Sequence, residues 1–122
     1  MAIRAVALAV KQDALSDLYS WSGLLNGDTG APAPIFGSQE IIVMIASGTL
    51  GAGGNILWQG SFDGLLWFSF STKIGTPATL NQTALLTPSV TQERAMYIRP
   101  NVTAGDGTTT LVAQALCRRT VA

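Results

Sequence analysis

The sequence predicts an all-β protein: an antiparallel β-sandwich, jelly-roll-like, of seven or eight short strands joined by long loops. Three observations carry that expectation. Apolar residues recur with a period of two rather than 3.6 along most of the chain. The candidate strands are short and punctuated by Gly, Pro, Asn and Asp, the pattern of sandwiches and jelly rolls. The 122 residues are about one domain's worth, so residues 1–122 are read as a single sandwich.

In chain order, Val6, Leu8 and Val10 alternate with alanines and read as a first strand, with 1–10 as an N-terminal arm or edge strand. Between Asp13 and Tyr19, Asp and Ser caps surround Leu15 and Leu18, which predicts one helical turn. Residues 26–38 are rich in Gly, Pro, Thr and Ser. Pro32 and Pro34 force extended backbone there and remove ladder donors, so this is a long loop; loops of that length are usually functional or disordered. Gln39 to Ala46 is rich in β-branched residues and reads as a strand buried on both faces. The glycine-rich Ser47 to Asn55 supplies the next turn.

Ile56 to Ser61 and Leu65 to Thr72 flank Asp63-Gly64, a strong hairpin signal. In the second arm Leu66, Phe68 and Phe70 share one face and Trp67, Ser69 and Ser71 the other. Thr76 to Pro88 reads as a loop with a short strand at Ala84 to Leu86. Arg94 to Arg99 is a strand that Pro100 must end, bulge or place on an edge. Asp106-Gly107 turns the chain into Thr108 to Cys117, where Leu111, Ala113 and Ala115 oppose Val112, Gln114 and Leu116; the tail 118–122 frays.

Composition excludes more than it identifies. Seven basic and seven acidic residues give zero net charge, and 11% charged residues is under half the usual ~25%. No electrostatic footprint for nucleic acid or anionic lipid remains. Mean hydropathy of +0.35 with 48% hydrophobic residues excludes disorder. The longest apolar run, Ile41 to Ala46, is far too short to span a membrane. The stretch Ala5 to Val10 after Arg4 is too short for a secretory h-region, so the chain is expected not to be secreted. A lone cysteine, Cys117, agrees with a reducing compartment and reads as a small buried apolar residue.

The residue inventory argues against an enzyme. Without histidine there is no Ser-His-Asp or Cys-His arrangement and no common zinc ligand. Neither Lys11 nor Lys73 stands in S-x-x-K. Asp13 and Asp17 read as capping groups rather than an acid/base pair. Gly48 to Gly54 lacks the G-K-[ST] ending of a phosphate loop. No catalytic residue, no metal and no cofactor is expected.

The stretch Trp58, Gly60, Ser61, Asp63, Gly64, Trp67 has the form W-x-G-S-x-D-G-x-x-W. It resembles a hairpin of small structural proteins of tailed bacteriophages and, more loosely, of discoidin-like sugar-binding sandwiches. Tyr97, Arg99 and Pro100 with Gly107, Thr108 and Thr109 look like the Y-x-R-P and G-T-T ending of the same phage proteins. In size the chain is similar to capsid decoration, or cement, proteins with jelly-roll-like folds.

That resemblance implies a virion structural protein on the capsid exterior, made in the host cytoplasm. Its partners would be the major capsid protein, whose neighbouring subunits it bridges, and itself, as a homodimer or second a homotrimer; nucleic acid and membrane are not expected. Candidate contacts are Ile3, Val6 and Leu8 in the arm, Pro32, Pro34 and Ile35 in the loop, and the aromatic Trp21 and Trp67. The alternatives are a carbohydrate-binding module stacking sugars on Trp67 or Trp21, or a small tail or adaptor component.

Overall fold

A computed structural model describes residues 2–13, 16–36, 38, 40–76 and 78–118, with residues 6–13 described as backbone only. Among the described residues there are twelve strand segments: β1 (Ile3–Arg4), β2 (Val6–Asp13), β3 (Ser16–Leu25), β4 (Thr29–Gly30), β5 (Ala33–Pro34), β6 (Glu40–Thr49), β7 (Asn55–Ser61), β8 (Trp67–Ser69), β9 (Asn81–Gln82), β10 (Ser89–Val90), β11 (Tyr97–Ala104) and β12 (Thr110–Arg118). The described residues contain no helix. The first sheet runs β1-β4-β11-β7-β8, with β5 also on β11 and β9 also on β7; the second runs β10-β6-β12-β3-β2. Every strand pair is antiparallel except β1 with β4.

The fold is the predicted β-sandwich, and alternation explains its core. On β12, Leu111, Ala113, Ala115 and Cys117 are buried, while Val112, Gln114 and Leu116 are half-buried on the opposite face. On β6, Ile41, Val43 and Ile45 point inward. They meet Ile56, Trp58, Ile98 and Val102 from the first sheet in one apolar cluster. Trp21 from the second sheet meets Trp58 from the first edge-on, ring centroids 5.7 Å apart at 66°, a geometry favoured by the ring quadrupoles.

Several expectations need correction. The helical turn over Asp13 to Tyr19 is instead the end of β2 and the start of β3, with 14–15 outside the described residues. The ladder wins because Asp17, Leu18 and Tyr19 register against Cys117, Leu116 and Ala115 of β12. Residues 26–38 are not one loop, because β4 and β5 both pair with β11. The turn after β6 starts later than predicted, since β6 runs to Thr49. Leu85 makes only an isolated bridge to Ile45. Gln39 and the tail residues 119–122 lie outside the described residues; Arg118 ends β12 in register with Glu40.

Pro100 neither ends β11 nor lies on a sheet edge. Val102, two residues on, accepts from Gly27 N (3.1 Å) and donates to Asp28 O (2.9 Å). Pro100 turns its missing N–H to that same side, between the end of β4 and the start of β5.

The largest correction concerns β6. The apolar run predicted cover on both faces, but the fold covers only one: Ile42, Met44 and Ala46 are half-buried on the outward face of the second sheet.

Candidate functional site

The most exposed large apolar side chains include those of the β7–β8 connection. The predicted strands Ile56 to Ser61 and Leu65 to Thr72 leave three residues around Asp63-Gly64 for the turn, but the ladder closes at Ser61 and Trp67, giving a five-residue loop, Phe62 to Leu66. Its shape is set by two side chains. Asp63 Oδ1 accepts from the Leu65 and Leu66 amides (2.8 and 2.9 Å). Ser61 Oγ accepts from the Gly64 and Asp63 amides (2.8 and 3.3 Å) and donates to Asp63 Oδ1 (3.1 Å). The Leu66 and Leu65 amides hold the Asp63 carboxyl below its usual range. Gly64 supplies the positive φ of 80° that the bend requires.

With its backbone donors satisfied locally, this loop turns its apolar side chains to solvent: Phe62 is 72% exposed, Leu65 81% and Leu66 78%. An aromatic series ties it to the core, with Phe62 against Phe68 (5.3 Å) and Phe68 against buried Phe70 (5.4 Å, edge-on). Met96 donates its amide to Ser61 O (3.0 Å), and Phe36 donates to Met96 O (3.3 Å). Phe36 and Met96, both exposed, therefore sit at the same end of the sandwich. The result is an ordered apolar projection, not a floppy tip.

The candidate contacts named from sequence scatter. Ile3 is 75% exposed on β1, next to Arg4, whose guanidinium bonds Asp28 at 2.6 Å. Asp28 also accepts from the Ala2 and Leu25 amides (3.1 and 2.9 Å). Burial alone would raise its pKa; Arg4 and these amides outweigh that and lower it. Val6 and Leu8 register with Trp21 and Tyr19 at the sheet edge, and their side chains lie outside the description. Pro32 is exposed and Pro34 half-buried.

Trp21 and Ile35 are corrected out of the contact set: at 0% and 1% exposure they are core. On β3 Trp21 shares the inward face with Tyr19, and the Trp21 indole donates to Ala31 O at 2.8 Å. Trp67 is half-buried with the Arg99 guanidinium 4.0 Å from its ring centroid, a cation–π contact that occupies one ring face. Trp21 offers no stacking platform for a sugar, and Trp67 has one ring face already covered by Arg99.

A second surface lies on the outward face of the second sheet. A groove of about 480 Å³ there is lined by Ser16, Leu18, Ile42, Met44, Pro88, Gln114 and Leu116. None of these residues is charged. Sequence reasoning missed the exposure of both surfaces. The available signals were Leu65-Leu66 beside a turn, which breaks alternation, and the continuous apolar run of β6.

The polar cluster around Asp106 is a turn clamp. Asp106 accepts from Ala52 N (2.7 Å) and from Thr108 N and Oγ1 (2.8 and 2.6 Å). The Thr108 hydroxyl first, then the Ala52 amide, pull its pKa down to about 2. Among the described residues no group of three or more His, Cys, Asp or Glu side chains could hold a metal ion.

No protein-family model matches the chain, and no curated protein matches it in sequence. Among solved structures it is similar to the SPBc2 prophage-derived protein YomS, at TM-score 0.61 and 9% identity, covering 88% of this chain and 98% of that one. At that identity the likeness is one of fold.

Proposed function

We propose that this chain is a non-enzymatic structural protein of a tailed-phage virion. It binds the capsid exterior and stabilises the shell by bridging neighbouring major capsid protein subunits. The observation that carries the reading is the ordered apolar projection of Phe62, Leu65 and Leu66 beside Phe36 and Met96. An apolar anchor held rigid before contact loses little entropy on docking. Two further observations support the reading: the W-x-G-S-x-D-G-x-x-W and Y-x-R-P motifs, and a fold shared with a prophage-derived protein. The mechanism is mass action: a ligand that binds only the assembled shell stabilises it by RT ln(1 + [L]/Kd) per site.

The test uses heads of the encoding phage, prepared without the protein and incubated with purified chain. Bound protein is read from band intensity after washes of rising sodium chloride. The wild type is expected to survive molar salt, where the Debye length falls from about 10 Å at 0.1 M to about 3 Å, because its contacts are apolar. The Leu65→Asp/Leu66→Asp double variant is expected to lose at least about tenfold in affinity. Release of the wild type at a few hundred millimolar salt, or equal occupancy of the two proteins, overturns the proposal.

A further inference from the structure

The outward face of the second sheet is built from strands whose sequences call for cover on both sides. β6 reads Ile-Ile-Val-Met-Ile-Ala from Ile41 to Ala46, and β12 is apolar from Leu111 to Cys117 except at Gln114. Such near-continuous runs mark strands covered on both faces, yet the fold covers only the inner one. Cross-strand register arranges the outer residues in rows. Val90, Ile42, Leu116 and Leu18 form one row, and Met44, Gln114 and Ser20 the next. All seven are half-buried. The charged pair Glu40 and Arg118 stands at one end of the face, in register and opposite in sign.

The dimensions of this face suit a subunit interface. Four strands of eight to ten residues and the two-residue β10, about 4.8 Å apart at a rise of about 3.4 Å per residue, present roughly 600 Å², the low end of what a specific interface takes from each partner. A standard stable interface takes about 800 Å² from each partner.

We propose that a second copy of this chain covers the face, related by a two-fold axis that sets Gln114 against Gln114. β12 is the middle strand of the five, and Gln114 is the middle residue of β12. A two-fold that overlays the face on itself passes close to that point. A primary amide is both donor and acceptor, so two glutamines related by such an axis can bond reciprocally. No described residue hydrogen-bonds the Gln114 side chain within the chain. A lone amide at the centre of an apolar interface fixes register, as a buried asparagine does in a coiled coil. The inference does not depend on what the exposed loop docks against.

Sedimentation equilibrium at micromolar concentration tests it with Gln114→Glu, Gln114→Lys, their equimolar mixture, Ser20→Glu on the neighbouring strand, and Leu66→Asp on the loop. The wild type and Leu66→Asp are expected to be dimers. Each charged variant of the face is expected to weaken the dimer at least about a hundredfold, since like charges facing each other in an interface repel strongly. Mixing the Glu and Lys variants is expected to restore the dimer, which a folding defect cannot do. Ser20→Glu keeps the proposal falsifiable if one Gln114 variant fails to fold. A monomeric wild type, dimers that tolerate every face variant, or a mixture that stays monomeric overturns the proposal. So does loss of the dimer in Leu66→Asp, which would place the loop of one copy in the groove of the next.

Discussion

Replacing Gln82 by leucine is expected to destabilise the protein by about 1–4 kcal/mol, because this side chain hydrogen-bonds across the two sheets. Gln82 lies on β9 in the first sheet and is 4% exposed. Its Oε1 accepts from the Trp58 indole at 2.8 Å, and its Nε2 donates to Val43 O on β6 at 2.8 Å and to Thr87 O at 3.1 Å. Leucine fills most of the volume but answers none of these groups. Thr87 is exposed, so water can replace that bond. The fully buried Trp58 indole and the Val43 carbonyl are left wanting, at about 1–3 kcal/mol each. Burial of the leucine side chain returns part of this, about 1–2 kcal/mol.

The net loss is a large part of the 5–15 kcal/mol typical of a domain. With a urea slope of about 1–3 kcal/mol/M, the unfolding midpoint falls by about 1–2 M. The assay is urea unfolding followed in parallel by tryptophan fluorescence and far-ultraviolet circular dichroism. Gln82→Glu is a sharper probe. Above neutral pH it keeps an acceptor for Trp58 but sets a carboxylate against the Val43 and Thr87 carbonyls. Its folded-state pKa must therefore rise, and its lost stability returns as the pH falls and the protonated carboxyl becomes a donor again. A loss under about 1 kcal/mol for Gln82→Leu, or a Gln82→Glu variant indifferent to pH, would refute the reasoning.

Two further outcomes follow from the geometry. Asp106, with its pKa near 2, and Asp28, Asp63 and Glu93, all held below their usual values, bind protons less readily folded than unfolded. Their stabilisation is present above the unfolded value of about 4 and is lost as pH falls towards 2. Thermal melts should be flat from pH 7 to 5 and drop steeply from 4 to 2, less steeply in Asp106→Asn. Gly30→Ala would place a Cβ 2.6 Å from Pro100 Cδ and 2.7 Å from Trp21 Cδ1, so differential scanning calorimetry should show a loss of about 1–3 kcal/mol from overpacking. An unchanged melting temperature would mean that the two sheets can move apart there at no cost.

What was legible in the sequence was whatever alternation alone decides: the two layers, the inward row of β12, the buried Cys117 and the existence of the β7–β8 hairpin. What was not legible depends on partners distant in sequence. Asp13 to Tyr19 carries local capping signals, and only the ladder with β12, about a hundred residues on, makes it a strand. Residues 26–38 read as a loop because their pairing is with β11, one short segment at a time. The five-residue hairpin loop escaped because the Asp63 carboxylate, not the Asp-Gly dipeptide, closes the turn. Trp21 and Trp67 were grouped by residue type; the serines that alternate with Tyr19 and Trp21 were the unused signal that Trp21 is an inward ring.

The two uncovered apolar surfaces belong to different sheets, and this decides how they could work together. Seven cations and seven anions over 6141 Å² leave one charge per about 440 Å², and near-zero net charge favours association over repulsion. If the second sheets of two copies close on each other, the first sheets point away on either side, each still carrying its Phe62 to Leu66 loop. One dimer would then present two rigid apolar anchors at a fixed separation. Two weak sites held at a fitting distance gain about 10²–10⁴ in avidity without any new contact. For the proposed shell-bridging role, such a dimer would reach two neighbouring subunits with two anchors instead of seating one loop between them.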